Sequence, residues 1–221
     1  MLQASTLKFL KALKKNNNRE WFEANRAKFD EAKADFENFV AELLKAISKT
    51  DKRLAGLSPK DCVYRIYRDV RFSKNKDPYK TNFAASINEG GRKSGKAGFY
   101  IQIEPDGEWG SFFAGGRWMP EAPVVKAIRQ EIQYNTAEFK KIIQHKDFKK
   151  WYGALEEQKL KTVPKGFDKN DPDIELFKYT SFIATHDLKE EELLEKSLVK
   201  KGADSYKVMM PFLNFLNRAS S

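Results

Sequence analysis

Apolar side chains recur along the first fifty residues with helical spacing. Leu7, Leu10 and Leu13 form one short stripe, which the polar run Asn16-Asn17-Asn18 ends. Asn18 is placed to cap a second helix, with Glu20 suiting the positive end of its dipole. From there Phe22, Phe29, Ala32, Phe36, Phe39, Leu43 and Ile47 follow at steps of three, four or seven, which predicts one long helix reaching about Ser48. The segment 54–61, with Gly56 and Pro59, reads as a loop. The period then changes. Residues 62–72 alternate and are rich in β-branched and aromatic side chains, so a strand is expected, followed by a loop at 74–79 around Asp77-Pro78. A second strand is expected over 81–88, then a glycine-rich loop over 89–96. A hairpin is expected from Phe99–Ile103, the turn Pro105-Asp106-Gly107 and Trp109–Phe113, closed by Gly115-Gly116.

Pro120 and Pro123 introduce a helix lined by Val124, Val125, Ile128 and Ile132, and Thr136 is placed to cap another carrying Phe139, Ile142 and Ile143. Residues 161–172 read as irregular, 174–177 as a helical turn and 179–185 as a strand. Residues 189–216 read as mostly helix, with a break near Gly202. No repeat, low-complexity tract or separating linker interrupts the chain. The pattern predicts an α+β fold, a mostly antiparallel sheet flanked by N-terminal and C-terminal helices, with residues 1–221 forming one compact domain.

Composition narrows this picture. Apolar residues make up 41% and aromatics 13% of the 221 residues, enough for a substantial core. The single cysteine, Cys62, excludes an internal disulfide framework and suits a reducing compartment. No apolar run approaches the ~20 residues of a membrane-spanning helix, and Met1 to Ser5 carry no secretory pattern. A cytoplasmic protein with no membrane partner is expected. Its formal charge of +10 is uneven, since residues 101–221 hold 19 basic and 19 acidic side chains while residues 60–100 hold 10 and 4. A cluster of that kind favours phosphate-bearing or other anionic partners, or simply makes a solvated basic surface.

The cluster centres on residues 65–80. On a strand, Arg65, Tyr67, Asp69 and Arg71 share one face, and Ile66, Arg68, Val70 and Phe72 the other. Asp69 can pair with one guanidinium and leave net positive charge. Arg68 shares its face with apolar residues and needs a partner, either a carboxylate elsewhere in the chain or a bound anion. The planar guanidinium suits carboxylate or phosphate oxygens, and Lys76 and Lys80 add point charges. Tyr79 offers its hydroxyl or ring. One reading is therefore an anion site built from Arg65, Arg68, Asp69, Arg71, Lys76, Tyr79 and Lys80, taking a nucleotide, a phosphorylated metabolite or nucleic acid. A second is a non-enzymatic interaction protein in which an Arg–Asp network only fixes the fold. A third is a hydrolase using Asp69. No catalytic residue is legible, and these residues do not decide between a binding module and an enzyme for such a ligand.

The run Arg65–Lys80, read as RIYRDVRFSKNKDPYK, resembles the signature of the DUF 2461 family of uncharacterised proteins. Asn17 with Trp21-Phe22, Gly98-Phe99-Tyr100, Gly115-Gly116, Pro120 with Arg129, and Pro164-Lys165-Gly166-Phe167 follow its pattern in the same order. The resemblance runs from about Leu7 to Phe215. It implies a cytoplasmic, single-domain and mostly bacterial protein with no established activity. The chain departs from the pattern at Asp171-Pro172, where His-Pro is expected, and at Phe177-Lys178, where Leu-Lys is expected.

Smaller signals complete the reading. Gly115 and Gly116, before Arg117-Trp118, either expose backbone N–H groups to an anion or make a tight turn. Trp118, Tyr100 and Trp109 offer stacking faces or, more ordinarily, core. Lys165 either reaches an anion or belongs to a shaping loop. No metal and no cofactor are expected. His145 and His186 stand 41 residues apart as surface or cap residues, and no HExxH, CxxC, GxSxG, phosphate-loop or dinucleotide pattern occurs. Cys62 reads as a small apolar residue, and nothing sets an oligomeric state.

Overall fold

The computed structural model describes residues 1–219. Helix α1 (Ala4–Lys15) buries Leu7, Leu10 and Leu13 together with Phe9. The Asn18 side chain accepts the Trp21 N–H at 2.9 Å and starts α2 (Arg19–Ala24). The single long helix expected next is two. Asn25 turns its amide back onto the Trp21 carbonyl at 2.9 Å, and the chain restarts as α3 (Arg26–Ile47). The apolar stripe crosses this break because Phe22 and Phe29 meet, their ring centroids 4.9 Å apart.

A short 3-10 turn (Lys52–Leu54) leads into the expected loop, whose end forms α4 (Pro59–Cys62), with Ser58 and Asp61 forming a capping box. The strand expected over 62–72 does not form. The regular strands are β1 (Phe83–Ile87), β2 (Gly98–Ile103), β3 (Ser111–Arg117) and β4 (Phe182–Leu188), an antiparallel sheet in the order β1-β2-β3-β4. The α+β class expected from the sequence is thus the observed one.

Helices α5 (Ala122–Tyr134) and α6 (Thr136–Ile143) follow the apolar stripes, but the cap of α6 is Asn135. The Thr136 hydroxyl instead donates to the Ile132 carbonyl at 2.7 Å. Helix α7 (Lys146–Tyr152) was not expected, while α8 (Ile174–Phe177) was. After β4 come α9 (Glu190–Leu193) and α10 (Leu198–Arg218), so the break lies at 194–197 rather than at Gly202. A Cβ at Gly202 would stand 3.1 Å from the Leu43 side chain and 3.4 Å from Phe113, a tight fit in which those side chains would have to give by a few tenths of an ångström.

The chain divides into two compact units. The first holds residues 1–94, 100–113 and 187–204, the second residues 95–99, 114–186 and 205–219. In the first, the α3 stripe packs on β1, with Phe36 and Phe83 stacked at 5.5 Å. In the second, Phe139, Phe148, Phe212 and Phe215 form an aromatic cluster with centroids 5.1–6.1 Å apart. Each of these phenylalanines is at most 1% exposed, and burying such a ring contributes roughly 1.5–3 kcal/mol.

Candidate functional site: a basic ribbon and its pocket

In the first unit, residues 63–85 fold back on themselves as an irregular antiparallel ribbon. Val63 pairs with Ala85 and Tyr67 with Tyr79. The backbone bonds are Tyr64 N–H to the Ala84 carbonyl (2.9 Å), Lys80 N–H to Ile66 (2.8 Å) and Arg68 N–H to Pro78 (3.0 Å). The chain takes four steps from 63 to 67 but six from 79 to 85, so the second arm carries two extra residues and bends at Thr81-Asn82. Pro78 has no N–H to give, which also prevents a regular ladder. Burial still alternates. Ile66 is buried and Arg68 and Val70 half-buried, while Arg65, Tyr67, Asp69 and Arg71 are exposed. The alternation ends at Phe72, which is 95% exposed.

Two contacts anchor the ribbon. The Asn17 amide donates to the Tyr79 carbonyl at 2.9 Å and accepts the Tyr79 N–H at 3.1 Å, so one side chain satisfies both backbone groups of one residue. The Tyr79 ring stacks on Phe22 with centroids 3.9 Å apart and planes inclined by 13°.

Above these anchors lies a pocket of about 360 Å³. Arg19 and Glu23 of α2 form one wall, and Tyr67, Arg68, Val70, Pro78 and Tyr79 of the ribbon form the other. The Arg68 guanidinium donates to the Ser73 hydroxyl at 3.4 Å and meets no carboxylate among the described residues. Arg19 likewise forms no ion pair there. Arg71, in contrast, grips Asp69 through Nε (2.9 Å) and Nη2 (2.6 Å). Those bonds, then the Arg71 N–H and the charge of Arg65, hold the Asp69 carboxyl below the usual carboxylate range. Arg26 donates to the Tyr67 hydroxyl at 3.1 Å and pairs with Asp30 at 3.4 Å.

Tyr79 is 3% exposed, and its hydroxyl makes no hydrogen bond to another described residue. Burial, then the neighbouring Tyr67 and Glu23, push its phenol pKa up against the pull of Arg19 and Arg26. Lys80 is half-buried with Nζ 5.3 Å from the Tyr64 ring centroid. Burial, then Arg65 and Arg68, push its ammonium pKa down.

Of the residues singled out in the sequence, Arg68 and Tyr79 line the pocket. Arg65, Asp69 and Arg71 point outward, and the Lys76 amine donates to the Val70 carbonyl at 3.0 Å, tying the ribbon tip. Gly115 and Gly116 belong to β3, and each has a packing reason. A Cβ on Gly115 would overlap the Met209 side chain, and one on Gly116, at φ +130°, would overlap the Phe182 carbonyl. Arg19 and Glu23 were missed because both read as the solvent face of a helix. The only signal near them was Trp21-Phe22 beside Asn17.

The structure also places the other aromatic, histidine and cysteine side chains singled out in the sequence. Trp109 and Trp118 are 74% and 60% exposed, which corrects their assignment to the core. Tyr100 is half-buried beside Tyr64 and Phe112. His145 accepts the Asp147 N–H as the cap of α7, and His186 Nδ1 lies 2.7 Å from the Trp151 carbonyl. Burial pushes the Cys62 thiol up to about 11, which suits an inert apolar role. Among the described residues, no three His, Cys, Asp or Glu side chains gather into a metal site, and no helix is long and apolar enough to cross a membrane.

A family model described as a conserved hypothetical protein matches residues 5–215, nearly the whole chain. No curated protein and no solved structure matches it.

Proposed function

The chain belongs to the conserved hypothetical family DUF2461, and from the geometry of its first unit we propose that the pocket between α2 and the ribbon binds a phosphate-bearing ligand. The observation that carries this reading is Arg68. It is half-buried on a pocket wall with no carboxylate partner among the described residues, whereas Arg71, three residues on, holds one along its Nε/Nη2 edge. A half-buried guanidinium with no protein counter-ion keeps its planar donors available to the oxygens of a phosphate. Arg19 supplies a second cation from the opposite wall, and the Tyr79 hydroxyl supplies a neutral donor. Glu23 on the same wall accepts a donor such as a ribose or sugar hydroxyl.

The competing reading, a structural Arg–Asp network, draws its support from the two-point Asp69–Arg71 pair. That pair is 46% and 76% exposed at its two side chains, and exposed pairs contribute little to stability. A hydrolase using Asp69 draws less support still, because a carboxylate gripped at both oxygens is a weak base. A cytoplasmic location fits the single buried cysteine.

The deciding experiment is a titration with inorganic phosphate and pyrophosphate, followed by calorimetry or amide shifts. Arg68→Ala is expected to weaken binding about tenfold or more, the worth of one charge-assisted hydrogen bond, while Arg71→Ala leaves it near the parent value. Equal binding by the parent and Arg68→Ala removes the proposal.

A further inference from the structure

Phe72 has no part in the pocket or the core. It stands at the corner of a turn that opens at Val70, whose carbonyl accepts both the Ser73 N–H (3.4 Å) and the Lys76 amine (3.0 Å). Its ring is 95% exposed. Val70 itself lines the pocket, so Phe72 lies within two residues, at most about 7 Å of chain, of the pocket wall. One guanidinium, that of Arg71, paired with Asp69, lies 5.9 Å from the ring centroid, and two lysines, Lys74 and Lys76, stand exposed on the same turn. The acidic residues of 65–80 are Asp69, already held by Arg71, and Asp77.

Resting on the phosphate-pocket reading, we propose that the ligand is a single-stranded nucleic acid, one phosphate in the Arg68 pocket and a neighbouring base stacked on Phe72. A compact phosphorylated metabolite fills the pocket and leaves Phe72 in water. A duplex keeps its base faces covered by their neighbours. A single strand presents a phosphate and an open base face about one nucleotide apart, and aromatic side chains among cations are the usual platform for it. A bilayer is matched less well, because Phe72 is the one strongly exposed large apolar side chain on the ribbon tip, and stable anchoring requires more apolar surface.

The test is fluorescence anisotropy at low salt with labelled oligothymidine, its duplex with oligoadenine, and inorganic phosphate as competitor. The single strand is expected to bind more tightly than the duplex. Phe72→Ala is expected to weaken single-strand binding about tenfold without changing the melting temperature, since the ring touches no core. Phe72→Trp is expected to retain binding, with its emission quenched by the strand. Duplex binding as tight as single-strand binding, or unchanged affinity in Phe72→Ala, overturns the proposal. Binding of phosphate through Arg68 without binding of any oligonucleotide overturns it too, but leaves the pocket reading intact. If neither phosphate nor oligonucleotide binds, the pocket reading itself falls. Phe72-dependent sedimentation with phosphatidylserine vesicles, without oligonucleotide binding, assigns the tip to a membrane surface instead.

Discussion

The hairpin β2–β3 and the ribbon of residues 63–85 are both antiparallel pairs, but they are held in different ways. In the hairpin, Phe99, Ile101, Ile103 and Phe113 are fully buried, and even the polar Gln102, Glu104 and Ser111 are less than 10% exposed. Their side chains are satisfied internally. The Gln102 amide donates to Glu104 at 3.0 Å, Thr81 donates to Glu104 at 2.6 Å, and Ser111 accepts the Glu104 N–H at 2.9 Å. In the ribbon, Ile66, Tyr79, Phe83, Ala84 and Ala85 are buried, and beyond Ile66 and Tyr79, toward the tip, cations face solvent. The hairpin is stabilised along its whole length by burial. The ribbon is stabilised at one end, by Asn17 and Phe22, and its outer half is left for something else to cover. Stability and availability are thus divided between two elements of similar local geometry.

Four measurements sharpen or break this contrast. The largest effect belongs to the hairpin. Phe113→Ala is expected to lower stability by about 3–5 kcal/mol, read by urea denaturation, and a loss below about 1 kcal/mol would remove the hairpin's claim to the core. Next comes the root of the ribbon, where the buried Cys62 thiol is raised to about 11 from its ordinary 9.0. The folded chain then holds this proton more tightly than the unfolded one, so the stabilisation is complete below pH 9 and is lost as pH rises toward 11. The melting temperature is expected to fall by a few degrees over that window, and Cys62→Ala is expected to flatten the fall. A profile unchanged by Cys62→Ala would assign the alkaline loss elsewhere.

Third, Asn17→Ala removes both bonds to Tyr79 and is expected to cost about 1–2 kcal/mol, with hydrogen exchange accelerated at Arg68, Tyr79 and Lys80. Unchanged exchange at those amides would mean that the ribbon is held without its clasp. Smallest is Asp69→Asn, expected to shift stability by less than about 0.5 kcal/mol in chemical denaturation, as for other exposed surface substitutions. A large loss there would revive the structural network as the reason for the arginines.

Much of the helical framework was legible because long apolar stripes report burial directly. The stripes of α1, α3 and α5 are of this kind. Helix α7 was not legible, since its buried residues are only Phe148 and Tyr152, one pair too few to establish a period. The break at Asn25 was hidden because a stripe with partners seven apart passes over it. In the ribbon, alternation at 65–71 correctly reported which side chains face inward, yet it says nothing about hydrogen-bond register. The two extra residues before Phe83 and the missing N–H of Pro78 decided that. The cationic run itself was plain in the sequence. Its pocket was not, because the opposite wall comes from Arg19 and Glu23, some fifty residues earlier on an outwardly ordinary helix face.

The Asn17 clasp has a consequence for what evolution and chemical ageing can do at that position. Its two ends are not interchangeable, because the nitrogen must meet a carbonyl and the oxygen an N–H. Exchange of that nitrogen for oxygen, as in Asn17→Asp or spontaneous deamidation, leaves volume and shape almost untouched but sets a negative oxygen against the Tyr79 carbonyl. Lengthening by one methylene in glutamine keeps both groups but displaces them from the peptide they grip. The position therefore accepts neither the nearest isostere nor the nearest homologue, and a single hydrolytic event there would loosen residues whose sequence numbers differ by 62.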